Sequence, residues 1–269
     1  MILYLPCHRM KTRTFIDQLN RNVRINSAPQ KIVSLVPSLT EFLHYLGLEK
    51  EVVGITKFCI HPNSWFEQKE RIGGTKRINI ERIKAIQPDL VIGNKEENTK
   101  DDISALDGFA PVWMSDVNSF NDAIEMIQKL GLVLSKEKAC NDLVKNLELA
   151  YSPLRNLGQN LSVLYFIWDK PSYVSGQLTF ISSIIETLGF KNKAHLDRYP
   201  DLQELGDCDP NYVFLSSEPF PFEEKHKEKY QSRFPHSKIV LVDGEMFSWY
   251  GSRMLPAADY FKNRLKKLL

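Results

Sequence analysis

From about residue 30 onward, short apolar runs alternate with amphipathic stretches, and the alternation predicts strands and helices in turn. Residues 31–36 (KIVSLV) form a β-rich run. Ser38 and Glu41 follow at capping-box spacing, and Phe42, Leu43, Leu46 and Leu48 then define a helical apolar face ending near Gly47. Residues 51–56 read as the next strand, so FCIHP (58–62) lies in the loop at that strand's carboxyl end. Asn79 caps a helix carrying Ile80, Ile83 and Ile86, and residues 89–93 form a buried strand after Pro88. Thr99 and Asp102 repeat the capping spacing, residues 111–114 form a strand, and Ser119 and Asp122 open a helix with Ile124, Ile127 and Leu130.

The longest helical stretch spans residues 135–157, with Ala139, Leu143, Leu147 and Ala150 on one stripe and Pro153 kinking or ending it. The alternation then resumes: strand 162–168, helix 179–188, strands 212–216 and 238–243, and a final helix over 252–268 with Pro256 in its first turn. IQPDLVI (86–92) and CDPNYVF (208–214) echo one another as helix end, proline, buried strand. The expected architecture is α/β: two Rossmann-like lobes joined by one long rigid helix. An N-terminal lobe would cover 1–134, with 1–29 as an extension, followed by a bridging helix 135–157 and a C-terminal lobe 158–269. Ligands of open α/β sheets gather at the carboxyl ends of strands, and two lobes leave a cleft. FCIHP, the loop after Trp168 and the stretch after Asp243 occupy such ends.

Composition narrows the classes. A hydrophobic fraction of 43% suits a globular domain, and 35 basic against 33 acidic residues leaves +2, too little to argue for nucleic acid or a membrane surface. No run approaches the roughly 18 apolar residues of a membrane span. Residues 3–7 faintly resemble a lipoprotein cleavage site, but no basic segment precedes them and the apolar run is short; Met1 and Met10 are equally acceptable starts. The expectation is a chain without an export signal, hence cytoplasmic by default; separately, a monomer is expected. Cys7, Cys59, Cys140 and Cys208 form no CxxC pair, which points to separate reduced thiols.

Several residues could carry chemistry. Cys59 and His61 could share a metal or form a nucleophile and base, but a metal needs about three or four ligands and no second Cys/His cluster accompanies them. FCIHP is therefore read as a pocket-wall loop, with His61 as a candidate axial ligand to a chelated metal and no intrinsic metal or cofactor. GGTK (73–76) lacks the Walker spacing and is either a plain turn or an anion cradle through Thr75 and Lys76. NKEEN (94–98) reads as a solvated loop, from which Glu96 or Asn98 could point into the cleft, Glu96 being the candidate for contact with a ligand. Trp65, Trp168, Trp249 and Tyr250 could grip a planar ligand, SWYGS (248–252) reading as an exposed loop, and Arg253 could pair with a carboxylate or phosphate. No catalytic set is evident.

Three stretches in combination, IVSLVPSLTEFLHYLGLEKEVVGIT (32–56), RIGGTKRINIERIKAIQPDLVIG (71–93) and VDGEMFSWYGSRM (242–254), resemble the helical-backbone metal receptors, the cobalamin and iron-chelate binding proteins of ABC importers. The resemblance implies a class III periplasmic-binding-protein fold and capture of a metal chelate (corrinoid, haem or ferric siderophore) between the lobes. It also implies delivery to an ABC permease, with Glu70 and either Gln203 or Glu204 at the docking positions, and a periplasmic location as the alternative to the cytoplasmic one. The alternative is a cytoplasmic enzyme or metallo-cofactor sensor using Cys59 and His61.

Overall fold

The computed structural model describes residues 12–26 and 28–269; residues 3–7 and Met10, weighed above, lie outside them. The chain divides into two compact units: Met1–Asp116 with Gln128–Asn141, and Val117–Ile127 with Asp142–Leu269.

In unit 1, β1 (Thr12–Ile16) and β2 (Asn22–Asn26) form an antiparallel hairpin. The buried Asp17 carboxylate at its turn accepts from Leu19 N and Arg21 N, both 2.9 Å, and pairs with Arg21 Nε at 2.8 Å. A five-stranded parallel sheet follows, built from β3 (Ile32–Ser34), β4 (Val52–Ile55), β5 (Glu70–Arg71), β8 (Leu90–Asn94) and β9 (Val112–Ser115) in the order β5-β4-β3-β8-β9. A tight antiparallel pair, β6 (Gly73–Gly74) and β7 (Arg77–Ile78), sits between β5 and β8 in sequence. The connecting helices are α1 (Pro37–Tyr45), α2 (Asn63–Gln68), α3 (Ile80–Ile86) and α4 (Lys100–Asp107). The sheet grows outward from β3 in both directions, so its strand order reverses between β3 and β8.

Helices α5 (Phe120–Val133) and α6 (Glu137–Tyr151) each carry residues of both units. Unit 2 holds a four-stranded parallel sheet of β10 (Ser162–Phe166), β11 (Lys191–Asn192), β12 (Tyr212–Ser216) and β13 (Lys238–Val242) in the order β11-β10-β12-β13. Its reversal point lies between β10 and β12. Its helices are α7 (Phe180–Thr187), α8 (Glu224–Arg233), α9 (Glu245–Ser248) and α10 (Met254–Tyr260). β8, β10 and β12 are buried throughout, as strands covered on both faces must be. Parallel sheets with helical crossovers make the fold α/β, as expected from the sequence.

The structure corrects local readings. Ser38 does not cap α1: Val36 is the N-cap without a side-chain bond, and Pro37 occupies the first turn, where its missing N–H is harmless. Asn79 and Thr99 do cap, accepting from Arg82 N at 3.0 Å and Asp102 N at 3.3 Å. The last helical stretch is interrupted by a π-helical turn at Phe261–Leu265. The helix α8, EKHKEKYQSR, gave no periodic signal because Tyr230 is its sole buried side chain.

Candidate functional site

In unit 1 the carboxyl edge of the sheet is built by three loops. The loop after β4 carries FCIHP; Phe58 is 50% exposed with Lys57 Nζ 5.0 Å from its ring centre, and Ile60 is 47% exposed. Cys59 between them is fully buried, its Sγ 3.1 Å from both Thr40 Oγ1 and Thr56 Oγ1. Burial pushes the thiol's pKa up, and the threonine hydrogen bonds only oppose this in part, so the sulfur stays protonated at neutral pH. His61 is partly buried.

The GGTK turn forms the second loop. Gly73 has φ +104°, and an added Cβ would lie 2.6 Å from Arg77 O, so only glycine fits this tight return. Thr75 is buried and Lys76 exposed, its ammonium bonded to Glu96 O. Asn98 Oδ1 accepts from Asn94 N at 2.9 Å, while its Nδ2 donates to Thr75 O at 3.0 Å. Asn94 Oδ1 accepts from Glu96 N (2.8 Å) and Glu97 N (3.2 Å), and its Nδ2 donates to Ser115 Oγ (3.0 Å). Two buried amides thus tie the GGTK turn, the NKEEN loop and the end of β9 into one rigid edge. Sequence reading treated NKEEN as solvated and missed these locks; the available signal was an asparagine at the end of a wholly apolar strand. Trp65 is fully buried in unit 1, its indole N–H bonded to the Glu49 carboxylate and its ring edge-on to His44 at 5.2 Å.

In unit 2 the corresponding edge is aromatic. Trp168, after β10, is 40% exposed, donates from Nε1 to Lys170 O at 3.1 Å and meets Phe220 edge-on at 5.7 Å. Tyr173 is also exposed. The neighbouring Asp169 is buried; burial raises its pKa, but bonds from Lys229 and from Tyr230 Oη (3.0 Å) more than offset this and lower it overall. After β12, Glu218 accepts from Ser248 Oγ at 2.5 Å and Trp249 Nε1 at 3.1 Å. Arg253 lies with its guanidinium 4.9 Å from the Trp249 ring centre and its Nη1 3.3 Å from Glu245 Oε2. SWYGS is not an exposed loop: Ser248 ends α9, Tyr250 packs against Phe180 at 5.7 Å, and Gly251 and Ser252 are buried as the chain enters its last helical stretch. Glu218, absent from the sequence-based candidates, is marked only by its place after a buried strand.

Glu70 is exposed and pairs with Arg82 at 3.3 Å. Glu204 is exposed but engaged in a capping box, its Oε1 accepting from Asp201 N at 2.7 Å. Among the described residues no three His, Cys, Asp or Glu side chains converge as a metal-holding group, and no helix is long and apolar enough to cross a membrane. What the edges offer is rigid aromatic and apolar area, with charged groups beside it.

Comparison with known proteins places this geometry in a family. An ABC transporter substrate-binding lipoprotein of Bacillus subtilis is 29% identical over 67% of this chain and 60% of its own length, so the chain spans less than two thirds of that relative. A vitamin B12-binding protein of Pectobacterium carotovorum is 22% identical over 89% of this chain and 90% of its own. A siderophore-binding protein solved with acinetobactin and ferric iron shares the fold, with a TM-score of 0.79 at 16% identity over 96% of this chain and 99% of that one. These relatives are binding proteins rather than enzymes. They also overturn the expected cytoplasmic location, since the matched family is one of periplasmic proteins and the first relative is a lipoprotein. The chain belongs to the periplasmic binding protein family, which it matches over residues 32–230.

Proposed function

We propose that this protein is the substrate-binding component of an ABC-type importer and captures a metal chelate, a corrinoid, haem or ferric siderophore, through its carboxyl-edge loops. The observation that carries the reading is the family match together with exposed aromatic side chains, Phe58, Trp168 and Tyr173, at the carboxyl edges of parallel sheets. A chelate presents a broad rim of apolar and polar atoms, which rigid rings grip through area at little conformational cost. Phe58 and Ile60 serve as the contact residues of FCIHP, with His61, Lys76 and Glu96 as polar groups beside them; in unit 2, Trp168, Trp249 and Arg253 take that role. Cys59, Trp65, Thr75 and Tyr250 support these surfaces from the core instead of touching the ligand, because each is buried. A nucleophilic role for Cys59 is disfavoured by a protonated thiol enclosed by two threonines. Glu70 and Glu204 are the proposed docking positions for the permease, and the working form is a monomer.

Titration with cyanocobalamin, haemin and a ferric siderophore, followed by tryptophan emission, tests the reading. Saturable quenching at micromolar concentration or below, roughly −8 kcal/mol or better, is expected for one of the three. Flat titrations with all of them would refute it.

A further inference from the structure

We propose that Glu218 is a positioning residue for ligand recognition: its carboxylate fixes the indole of Trp249, and through it the guanidinium of Arg253, in the orientation that meets the ligand. The ligand half of this inference rests on the chelate-binding reading above; the positioning half does not.

The geometry is a relay through unit 2. Tyr165 Oη on β10 lies 3.0 Å from Ser216 Oγ at the end of β12, and Ser216 Oγ donates to Glu218 O at 2.6 Å. The backbone of Glu218 is thereby anchored to the two central strands. Its side chain turns to α9, where one oxygen, Oε1, receives both the Ser248 hydroxyl and the Trp249 indole N–H. Trp249 in turn lies beside Arg253 at 4.9 Å, and the Glu245 carboxylate pairs with that guanidinium at 3.3 Å. An acceptor behind an indole, and a cation over its ring, leave the side chain little rotational freedom, which is what a preorganised contact needs. Gly244 makes room for the arrangement: a Cβ there would sit 2.4 Å from Ser216 Oγ and 2.5 Å from Glu218 Cγ.

An anionic acceptor binds the indole N–H more strongly than a neutral one, so the anchor weakens when Glu218 is protonated. Asp243, on the β13–α9 connection, and Glu245, the first residue of α9, act on Glu218 with like charge. Tyr260 Oη accepts from Asp243 N at 3.1 Å, and Arg264 and Lys267 line, together with Glu218, an open cleft of about 810 Å³. Burial first, and these two carboxylates second to it, push the Glu218 pKa above the ordinary range, against the bonds from Ser248 and Trp249. The anchor therefore titrates at a higher pH than an exposed glutamate would.

The test uses the whole protein without ligand, then with cyanocobalamin. Tryptophan emission recorded from neutral to acid pH should show a step in the wild type that is missing in both Glu218→Gln and Trp249→Phe, over the background of the Trp65–Glu49 pair that all three proteins share. Glu218→Gln keeps an acceptor but cannot titrate, so it guards against a variant that merely fails to fold. Persistence of the step in either variant overturns the proposal. With cyanocobalamin, Glu218→Ala should bind roughly tenfold more weakly at neutral pH, while Glu218→Gln should bind with an affinity that no longer falls toward acid pH. Wild-type affinity and pH dependence in both variants would also overturn it. If no chelate binds the wild type, the functional reading has failed, and the emission step alone decides the positioning role.

Discussion

Replacing Asn98 with alanine removes both bonds that hold the unit 1 edge together. The side chain is buried, and so are its two partners: Asn94 N, 2.9 Å from Oδ1, and Thr75 O, 3.0 Å from Nδ2. Alanine restores neither, so one buried N–H and one buried carbonyl lose these bonds. Each such loss costs about 1–3 kcal/mol, which gives about 2–4 kcal/mol once partial relaxation is allowed. Against a total stability of about 5–15 kcal/mol for a natural domain, that is a large fraction. Urea unfolding followed by circular dichroism should show a midpoint lowered by about 1 M or more, taking a slope of about 2 kcal/mol/M. The exposed Lys100→Ala, two residues on, should stay within about 0.5 kcal/mol of the wild type. Amide exchange at Glu96 and Glu97 should accelerate as well, because their acceptor, Asn94 Oδ1, is no longer held in place. An Asn98→Ala midpoint indistinguishable from wild type would refute the claim that this amide locks the edge.

Gly244→Ala should destabilise by about 1–3 kcal/mol through overpacking against Ser216 and Glu218, read as a lower Tm, and an unchanged Tm would show that the loop relaxes freely. Glu218→Gln should raise stability at neutral pH. The wild-type carboxyl has its folded pKa raised, so its stabilising contribution is complete below the unfolded value of about 4.3 and is lost as pH rises through the folded value, whereas glutamine stays neutral. The two proteins should converge in acid, and a gap that widens there would contradict the sign. Among the described cysteines, Cys208, half-buried, should react first with an uncharged thiol reagent, with Cys59 and Cys140 modified only on unfolding, as peptide mass spectrometry would show; early labelling of Cys59 would mean that the FCIHP loop opens.

The fold was legible where apolar runs and caps agreed. The strand ending at Ser216 and the capped helices after Asn79 and Thr99 lie where the sequence pattern puts them, because the strand is apolar and buried throughout and each of the two helices starts on a side chain that accepts from a backbone N–H. The hairpin at 12–26 escaped notice because β1, TRTFI, is exposed over most of its length and offers no buried apolar face, and the structure holds it by Asp17 and Arg21 reaching β9, long-range bonds no local pattern encodes. At the candidate site, sequence identified the loops but not which side chains face solvent. Cys59 and Phe58 are adjacent, yet one is enclosed and the other half exposed. That difference arises from contacts with Thr40 on α1 and Thr56, and the first of these is set by tertiary packing. Glu218 stayed invisible because its partners Ser248 and Trp249 lie about 30 residues on.

The central claim is that the carboxyl-edge loops bind a metal chelate. Hydrogen–deuterium exchange with and without saturating cyanocobalamin, haemin or ferric siderophore addresses it residue by residue. The account predicts protection concentrated in 57–62, 74–76 and 95–97 of unit 1 and in 167–173 and 217–220 with 245–250 of unit 2, the remainder being unchanged. Protection confined to the opposite, amino-terminal ends of the strands, or none with any of the three chelates, would contradict it.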